Sequence, residues 1–179
     1  MIREDGLASV SLRKLAERTG VSRTAPYHHF KDKSELLTAV AEQGFDQLTK
    51  RIQAPADDQS LSLSGRLERS ILNYIDFAIT NATQYELMFG RELWRDKPSE
   101  RLQRRAKDCF REYADIIRRF HEQGRLSQHE DPLRLAQLMW SALHGLVTLS
   151  HDGIIVRQDD LEEISRYALN KLMRMLRPE

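Results

Sequence analysis

The side chains best suited to chemistry in this sequence are hydrogen-bond donors gathered in one short stretch. Residues 23–33 include an arginine, a threonine, a tyrosine, two histidines and two lysines. An arginine fork matches a guanine edge, threonine and alanine offer hydroxyl and methyl contacts to bases, and the tyrosine, histidines and lysines can reach phosphates. The stretch therefore predicts binding to nucleic acid. The candidate residues are Arg23, Thr24, Ala25, Tyr27, His28, His29, Lys31 and Lys33.

Two short helices and a tight turn are needed to position these side chains. Apolar residues at the i, i+3, i+4 spacing from Leu12 predict a first helix, with Ser11 as its N-cap. Gly20 supplies the left-handed backbone that ends this helix, and Ser22 is placed to cap the next one. This punctuation predicts a helix-turn-helix.

The second helix is predicted from Arg23 to about His29. Pro26 lies one turn into it and removes a backbone N–H, so this helix is expected to be distorted or to begin late. Asp32 then caps a long helix that begins at Lys33. The first amides of that helix and Lys33 together predict a phosphate clamp.

The run GVSRTAPYHHFKDKSELL resembles the signature of TetR-like transcriptional regulators. In that family a Gly-Val turn precedes a short recognition helix ending in Tyr-x-His-Phe, and Lys-x-Lys leads a long helix. The resemblance implies that Arg23, Thr24 and Ala25 face bases, that Tyr27, His29 and Lys33 grip the DNA backbone, and that Arg13 reaches the groove or its rim. The full predicted DNA-contacting set is Ser11, Arg13, Ser22, Arg23, Thr24, Ala25, Tyr27, His28, His29, Lys31 and Lys33.

The sequence departs from the family pattern in two places. Pro26 stands where the family often has leucine. The family also places a full helix before the motif, whereas residues 1–6 match only the last turn of one. We therefore expect either a start upstream of Met1 or a head that lacks one wall.

The charge is distributed unevenly along the 179 residues, whose net charge is +1. Residues 1–33 hold seven basic and four acidic residues, a net charge of +3, which leaves −2 for the rest. The excess of bases on the motif suits phosphate binding. The single cysteine, Cys109, excludes an internal disulfide framework. With no leader and no long apolar run, a soluble cytoplasmic protein is expected.

The remaining chain has helical periodicity throughout, and no stretch argues for a strand. The helix from Lys33 is predicted to end near Ile52, where the polar, proline-containing run 53–60 begins. Further helices are predicted from Leu67, over 84–94, over 98–123, from the Asp131-Pro132 start signal, and over 159–176. The expectation is an all-α chain with a helix-turn-helix head, residues 1–47, and a helical ligand-binding and dimerisation body, residues 48–179.

The last two helices carry more apolar residues than one buried stripe requires. A second copy would cover them, so we expect a homodimer through 132–150 and 159–176. In TetR-like proteins these helices form a four-helix interface, and two recognition helices about 34–36 Å apart read a palindrome in double-stranded DNA. Residues 140–145 also resemble the Trp-x-x-x-His-Gly motif of one TetR subgroup.

Aromatic and sulfur-containing side chains in the body are candidates for a small-molecule effector pocket. They are Tyr85, Met88, Phe89, Trp94, Phe110, Tyr113, Trp140 and His144. The alternative is that most are ordinary core residues and that His144 is a buried histidine bonded to a backbone carbonyl.

No metal-ligand set, glycine-rich phosphate loop or nucleophile elbow is present, so we expect no metal, no cofactor and no enzymatic activity. The favoured interpretation is a ligand-responsive repressor. One rival is a helical small-molecule-binding or enzymatic protein with a vestigial head, and another is a dimeric interaction module that does not bind DNA.

Overall fold

Every regular element in the described part of the chain is a helix. A computed structural model describes residues 10–95, 98–154 and 161–175. The α-helices are α1 Leu12–Thr19, α2 Lys33–Asp57, α3 Leu63–Thr80, α4 Ala82–Phe89, α5 Arg91–Trp94, α6 Glu100–Glu122, α7 Pro132–His151 and α8 Leu161–Met175, and a 3₁₀ helix covers Ala25–His28. The predicted all-α class is confirmed. No helix within these ranges is long and apolar enough to cross a bilayer.

Helix α1 begins and ends at the residues that the sequence predicts. The Ser11 side chain accepts a hydrogen bond from the Lys14 amide at 3.2 Å, which satisfies one unpaired N–H of the first turn. Gly20 ends the helix at φ 70°, in the left-handed region that favours glycine. The expected remnant of a preceding helix, residues 1–6, lies outside the described residues.

The recognition element is a single 3₁₀ helix, Ala25–His28, and it begins two residues later than predicted. Pro26 lies in its first turn, where a backbone N–H would have no partner within the helix, so the proline costs no hydrogen bond. The Pro26 carbonyl accepts the amides of His29 at 3.1 Å and Phe30 at 2.9 Å. The expectation that this helix is distorted or begins late is thereby confirmed.

Helix α2 continues through Pro55 to Asp57, so the predicted end near Ile52 is wrong. Proline at position 55 removes the amide that would bond to the Arg51 carbonyl. The Asn73 side chain of α3 donates to that carbonyl instead, at 2.9 Å. A hydrogen bond between distant parts of the sequence therefore lets α2 pass its proline, which local patterns do not reveal.

We expect Asn73→Ala to lower the free energy of unfolding by about 1 kcal/mol, because the Arg51 carbonyl loses its partner. Chemical denaturation measures the change. In a Pro55→Ala background the restored amide bonds to the same carbonyl, so the loss is expected to shrink. Equal losses in the two backgrounds would contradict this account of the proline.

Among the later helices, one predicted start is confirmed and one predicted helix is wrong. Asp131 caps α7 by accepting the amides of Leu133 at 2.8 Å and Arg134 at 3.2 Å, as the Asp-Pro signal predicts. The single helix predicted over 84–94 is wrong, because Gly90 divides it into α4 and α5. Gly90 has an extended backbone, with φ −76° and ψ 160°, which a continuous helix cannot accommodate.

The chain divides into two compact units. The first comprises the described residues up to Asp46 together with Asn81–Ala106, and the second comprises Gln47–Thr80 together with the described residues from Lys107 onward. Both α2 and α6 begin in the first unit and end in the second. The division into 1–47 and 48–179 stays a prediction.

Two ion pairs join α2 to α6 within the first unit. Arg101 pairs with Glu42 at 2.8 Å, and Arg105 pairs with Asp46 at 3.3 Å. Glu42 is the only charged residue in the described core, at 5% exposed. At Gly44, between the two carboxylates, the Met88 side chain of α4 occupies the space that a β-carbon would need. These contacts fix α2 against its neighbours in this unit.

Candidate functional site

The turn and the 3₁₀ helix present a row of exposed donors. Arg23, Thr24, His28 and His29 are exposed, and Tyr27 is exposed by 58%. Pro26, among them, is buried and anchors the element to the unit beneath. An apolar anchor with donors on its outer side suits an element that docks onto a polar surface.

The donors in this row differ in how firmly they are held. The hydroxyls of Ser22 and Thr24 lie 3.2 Å apart and restrict each other. The Arg23 guanidinium makes no hydrogen bond or ion pair to any described residue. Arg13 pairs with Glu17 at 3.2 Å on the surface of α1, a pair that a phosphate can replace. Ser11 uses one lone pair of its side-chain oxygen for the cap of α1, and its hydroxyl proton can still be donated to a DNA phosphate.

Carboxylates already occupy part of the start of α2. The Asp32 side chain accepts the Glu35 amide at 2.9 Å, and the Glu35 side chain accepts the Lys31 amide at 2.7 Å. This arrangement resembles a capping box, except that Glu35 accepts the amide of Lys31, the residue before the N-cap, rather than that of Asp32. The predicted phosphate clamp therefore has fewer open amides than the sequence indicates, and a phosphate here would rely on the cationic side chains of Lys31 and Lys33.

The predicted ligand residues fall into two groups, one in each compact unit. Tyr85, Met88, Phe89 and Trp94 belong to the first unit. Phe89 packs against Phe45 with ring centroids 5.3 Å apart and against Tyr85 at 4.7 Å. The Trp94 indole donates to the Met88 carbonyl at 2.7 Å. This group resembles a packed core with its polar atoms satisfied.

The second group surrounds Trp140 of α7. Three rings contact its indole edge-on, with centroid distances of 5.1 Å to Tyr113, 5.2 Å to Tyr74 and 5.7 Å to Phe110. The Tyr113 hydroxyl is buried and has no hydrogen-bond partner among the described residues. Burial raises the pKa of Tyr113 and lowers the pKa of His144, so both side chains are neutral at pH 7. The unpartnered Tyr113 hydroxyl is therefore the atom of this group that a neutral polar ligand atom would bond.

Sequence reasoning missed a cavity of about 200 Å³ in the second unit, between α3, α7 and α8. None of the eight predicted ligand residues lines it. Its walls are leucine, isoleucine, alanine and methionine, which a sequence pattern cannot distinguish from plain core. Within the described ranges, no cluster of three or more histidine, cysteine or acidic residues is arranged to hold a metal ion.

Family models match both ends of the chain. The model described as bacterial regulatory proteins, tetR family, matches residues 1–40. The model described as tetracyclin repressor-like, C-terminal domain, matches residues 67–172, which is more than half of the chain. The assignment of residues 140–145 to the Trp-x-x-x-His-Gly subgroup stays a prediction.

Similar proteins agree with the family models. The nucleoid occlusion factor SlmA of Pectobacterium carotovorum subsp. carotovorum (strain PC1) is 29% identical over 140 residues, which are 75% of this chain and 69% of that protein. A protein of unknown function from Rhodococcus sp. RHA1 superposes with a TM-score of 0.82 at 26% identity, over 98% of this chain and 89% of its own. The TetR family transcriptional regulator PfmR from Thermus thermophilus shares the fold, with a TM-score of 0.73 at 21% identity, over 97% of this chain and 92% of its own. With its helix-turn-helix head and helical C-terminal region, the chain belongs to the TetR family of DNA-binding transcriptional regulators.

Proposed function

We propose that this protein is a homodimeric repressor that binds a palindromic operator and is released by a small-molecule effector. The observation that carries the proposal is the exposed row of donors on the 3₁₀ helix and its preceding turn. Arg23 and Thr24 read base edges in the major groove, and Tyr27, His29 and Lys33 hold the phosphates on either side. A regulator of this kind acts in the bacterial cytoplasm.

The proposed dimer surface is an apolar row on α7. Leu138, Ala142, Gly145 and Leu149 follow the i, i+4, i+7, i+11 spacing of one helix face, and Leu138 is exposed by 60%. A β-carbon at Gly145 would meet nothing within 4 Å. Two leucines flanking small residues let a second helix approach closely, and Tyr167 of α8, which is also exposed, extends the surface.

The proposed route from effector to DNA is α2. This helix begins next to the DNA-contacting residues, and its last residues belong to the second unit. An effector that binds one position of α2 better than another shifts the population toward that position, and it can shift the population only by that difference in affinity. The spacing of two recognition elements in a dimer then changes, and the operator is released.

Selection from fragments of the source genome, followed by footprinting of the enriched duplexes, tests the proposal. We expect protection of two inverted half-sites centred about 10 base pairs apart, or a multiple of one turn. The apparent affinity should fall steeply between about 50 and 200 mM salt, because binding to phosphates releases counterions. A scrambled half-site is the matched control.

Two outcomes would contradict the proposal. Absence of salt-dependent binding to any duplex would remove the DNA-binding role. Protected sites that lie within genes, with no change in transcription when the protein is deleted, would remove the repressor role. A role in nucleoid occlusion, for which the 29%-identical relative is named, would then fit better.

A further inference from the structure

The cavity of about 200 Å³ in the second unit is lined, in the described part of the chain, by aliphatic residues and one methionine. Its deeper lining is Ile71 of α3, Met139 and Leu143 of α7, and Leu169 of α8, all of which are buried. Leu146 and Ile164, both half-buried, complete the walls toward the surface. Among the described residues that line it, none is charged and none is aromatic.

Small side chains form the rim of this cavity. Ala142 of α7 is exposed and Ala168 of α8 is half-buried, and both line the cavity. Because neither side chain extends beyond a β-carbon, the cavity is open between the two helices in the single chain, beside the row proposed for the dimer. A larger residue at either position would fill the opening.

A buried hydroxyl lies one turn farther along α7. Ser150 is 7% exposed, and its oxygen has no hydrogen-bond partner among the described residues. It follows Leu146 by four positions and Leu143 by seven, so it lies on the same face of α7 as the cavity wall. A buried hydroxyl without a partner is unfavourable and rare in folded proteins, which points to a bonding group that a ligand supplies.

We propose that this cavity binds a compact, uncharged molecule that has an aliphatic body of about eight non-hydrogen atoms and one polar group. The size follows from the volume, since an apolar cavity of about 150 Å³ accommodates benzene. The absence of charge follows from the walls, because an ion would lose its hydration without gaining a partner. The polar group extends beyond the lining residues toward the Ser150 hydroxyl, one turn past Leu146 on the same face of α7, and exchanges a hydrogen bond with it.

The inference deepens the proposed function by naming the chemical class of the effector, and its regulatory consequence rests on that function. Ala142 belongs both to the cavity rim and to the apolar row proposed for the dimer. An occupant that binds one spacing of α7 and α8 better than another would therefore bias the surface proposed for the dimer. Binding itself can be measured in the absence of DNA.

The test uses 1-heptanol as probe, with sodium heptanoate as the charged control and n-heptane as the apolar control. Titration of the full chain, followed by its melting temperature and by NMR of the Ile71 and Ile164 methyl groups, should show saturable binding of 1-heptanol. Heptanoate should bind at least tenfold more weakly. Preferential binding of heptanoate would overturn the uncharged class.

Two variants locate the site. Ala168→Leu should abolish the response to 1-heptanol while keeping or raising the melting temperature of the free protein, whereas Ala54→Leu, on the exposed side of α2, should leave the response unchanged. Ser150→Ala should lower the affinity for 1-heptanol by about fivefold, the effect of one hydrogen bond, and should leave the affinity for n-heptane unchanged. An unchanged titration for Ala168→Leu, or equal losses of both probes in Ser150→Ala, would overturn the site or the role of the hydroxyl.

A side chain of a second copy is the competing occupant of the cavity. If wild-type protein gave no response but the monomeric Leu138→Asp variant did, the cavity would belong to the dimer contact and the proposal would be overturned. Operator binding, measured on the same samples, separates a failure of this inference from a failure of the proposed function. Intact operator binding without a heptanol response overturns this inference alone, whereas a heptanol response without operator binding overturns the proposed repressor alone.

Discussion

Leu138→Asp is expected to separate the protein into monomers and to abolish stable binding to a palindromic operator. Burying one leucine contributes about 1.5–3 kcal/mol, and a symmetric interface loses two of them. The charge adds a desolvation penalty, so the dimer dissociation constant should rise at least about a hundredfold. Sedimentation velocity measures the oligomeric state, and fluorescence anisotropy with a labelled operator measures DNA binding.

Ala54→Asp is the matched control, because it adds the same charge at an exposed position of α2 outside the apolar row. It should leave both the oligomeric state and the operator affinity close to those of the unmodified chain. If Leu138→Asp remained a dimer, the row on α7 would not be the interface. If it became a monomer yet kept full operator affinity, the two-half-site model would be wrong.

Arg23→Ala is expected to relax sequence preference, whereas Lys33→Ala is expected to weaken binding to all sequences alike. A bidentate arginine contact to guanine contributes about 1–3 kcal/mol of discrimination. The ratio of affinities for the preferred half-site and a mismatched one should therefore fall about 5- to 150-fold. Removing a lysine contact to phosphate should reduce the salt slope by about one per half-site without changing the preferred sequence.

Binding-site selection on randomised duplexes, repeated at two salt concentrations, distinguishes the two effects. Glu17→Ala is a useful control, because it frees Arg13 from its surface ion pair without removing a DNA-contacting group. Equal and sequence-independent losses for Arg23→Ala and Lys33→Ala would show that neither residue reads bases. The recognition element would then act by backbone contacts alone.

The local punctuation of this chain was predictable because each signal acts within a few residues. Ser11 and Gly20 delimit α1, and Asp131 caps α7, since side-chain oxygens and left-handed glycines act on neighbouring amides and carbonyls. The short, late recognition element also followed from one local fact, the proline at position 26.

Features that depend on distant parts of the sequence were not predictable in this way. The continuation of α2 past Pro55 depends on Asn73, eighteen positions away, and no helical pattern reveals that hydrogen bond. The sequence-based prediction of ligand residues favoured aromatic side chains, because they are large and several bear polar atoms. The aliphatic cavity was not predicted, because Ile71, Ala142 and Leu169 show the same sequence pattern whether they enclose a void or fill one.

Under the proposed mechanism α2 moves along α6, and three ion pairs between these helices would make that movement stepwise: Arg101 with Glu42, Arg105 with Asp46 and, in the second unit, Arg119 with Asp57. Glu42 and Asp46 are four residues apart, as are their partners Arg101 and Arg105, and both helices run in the same direction through the pairs. A slide of four residues, about 6 Å, exchanges partners and keeps one of the first two pairs, whereas half that slide leaves both carboxylates opposite the gaps between the guanidiniums. On the proposed mechanism we therefore expect α2 to prefer discrete registers along α6 over intermediate positions, by about 1 kcal/mol or less for each exposed pair.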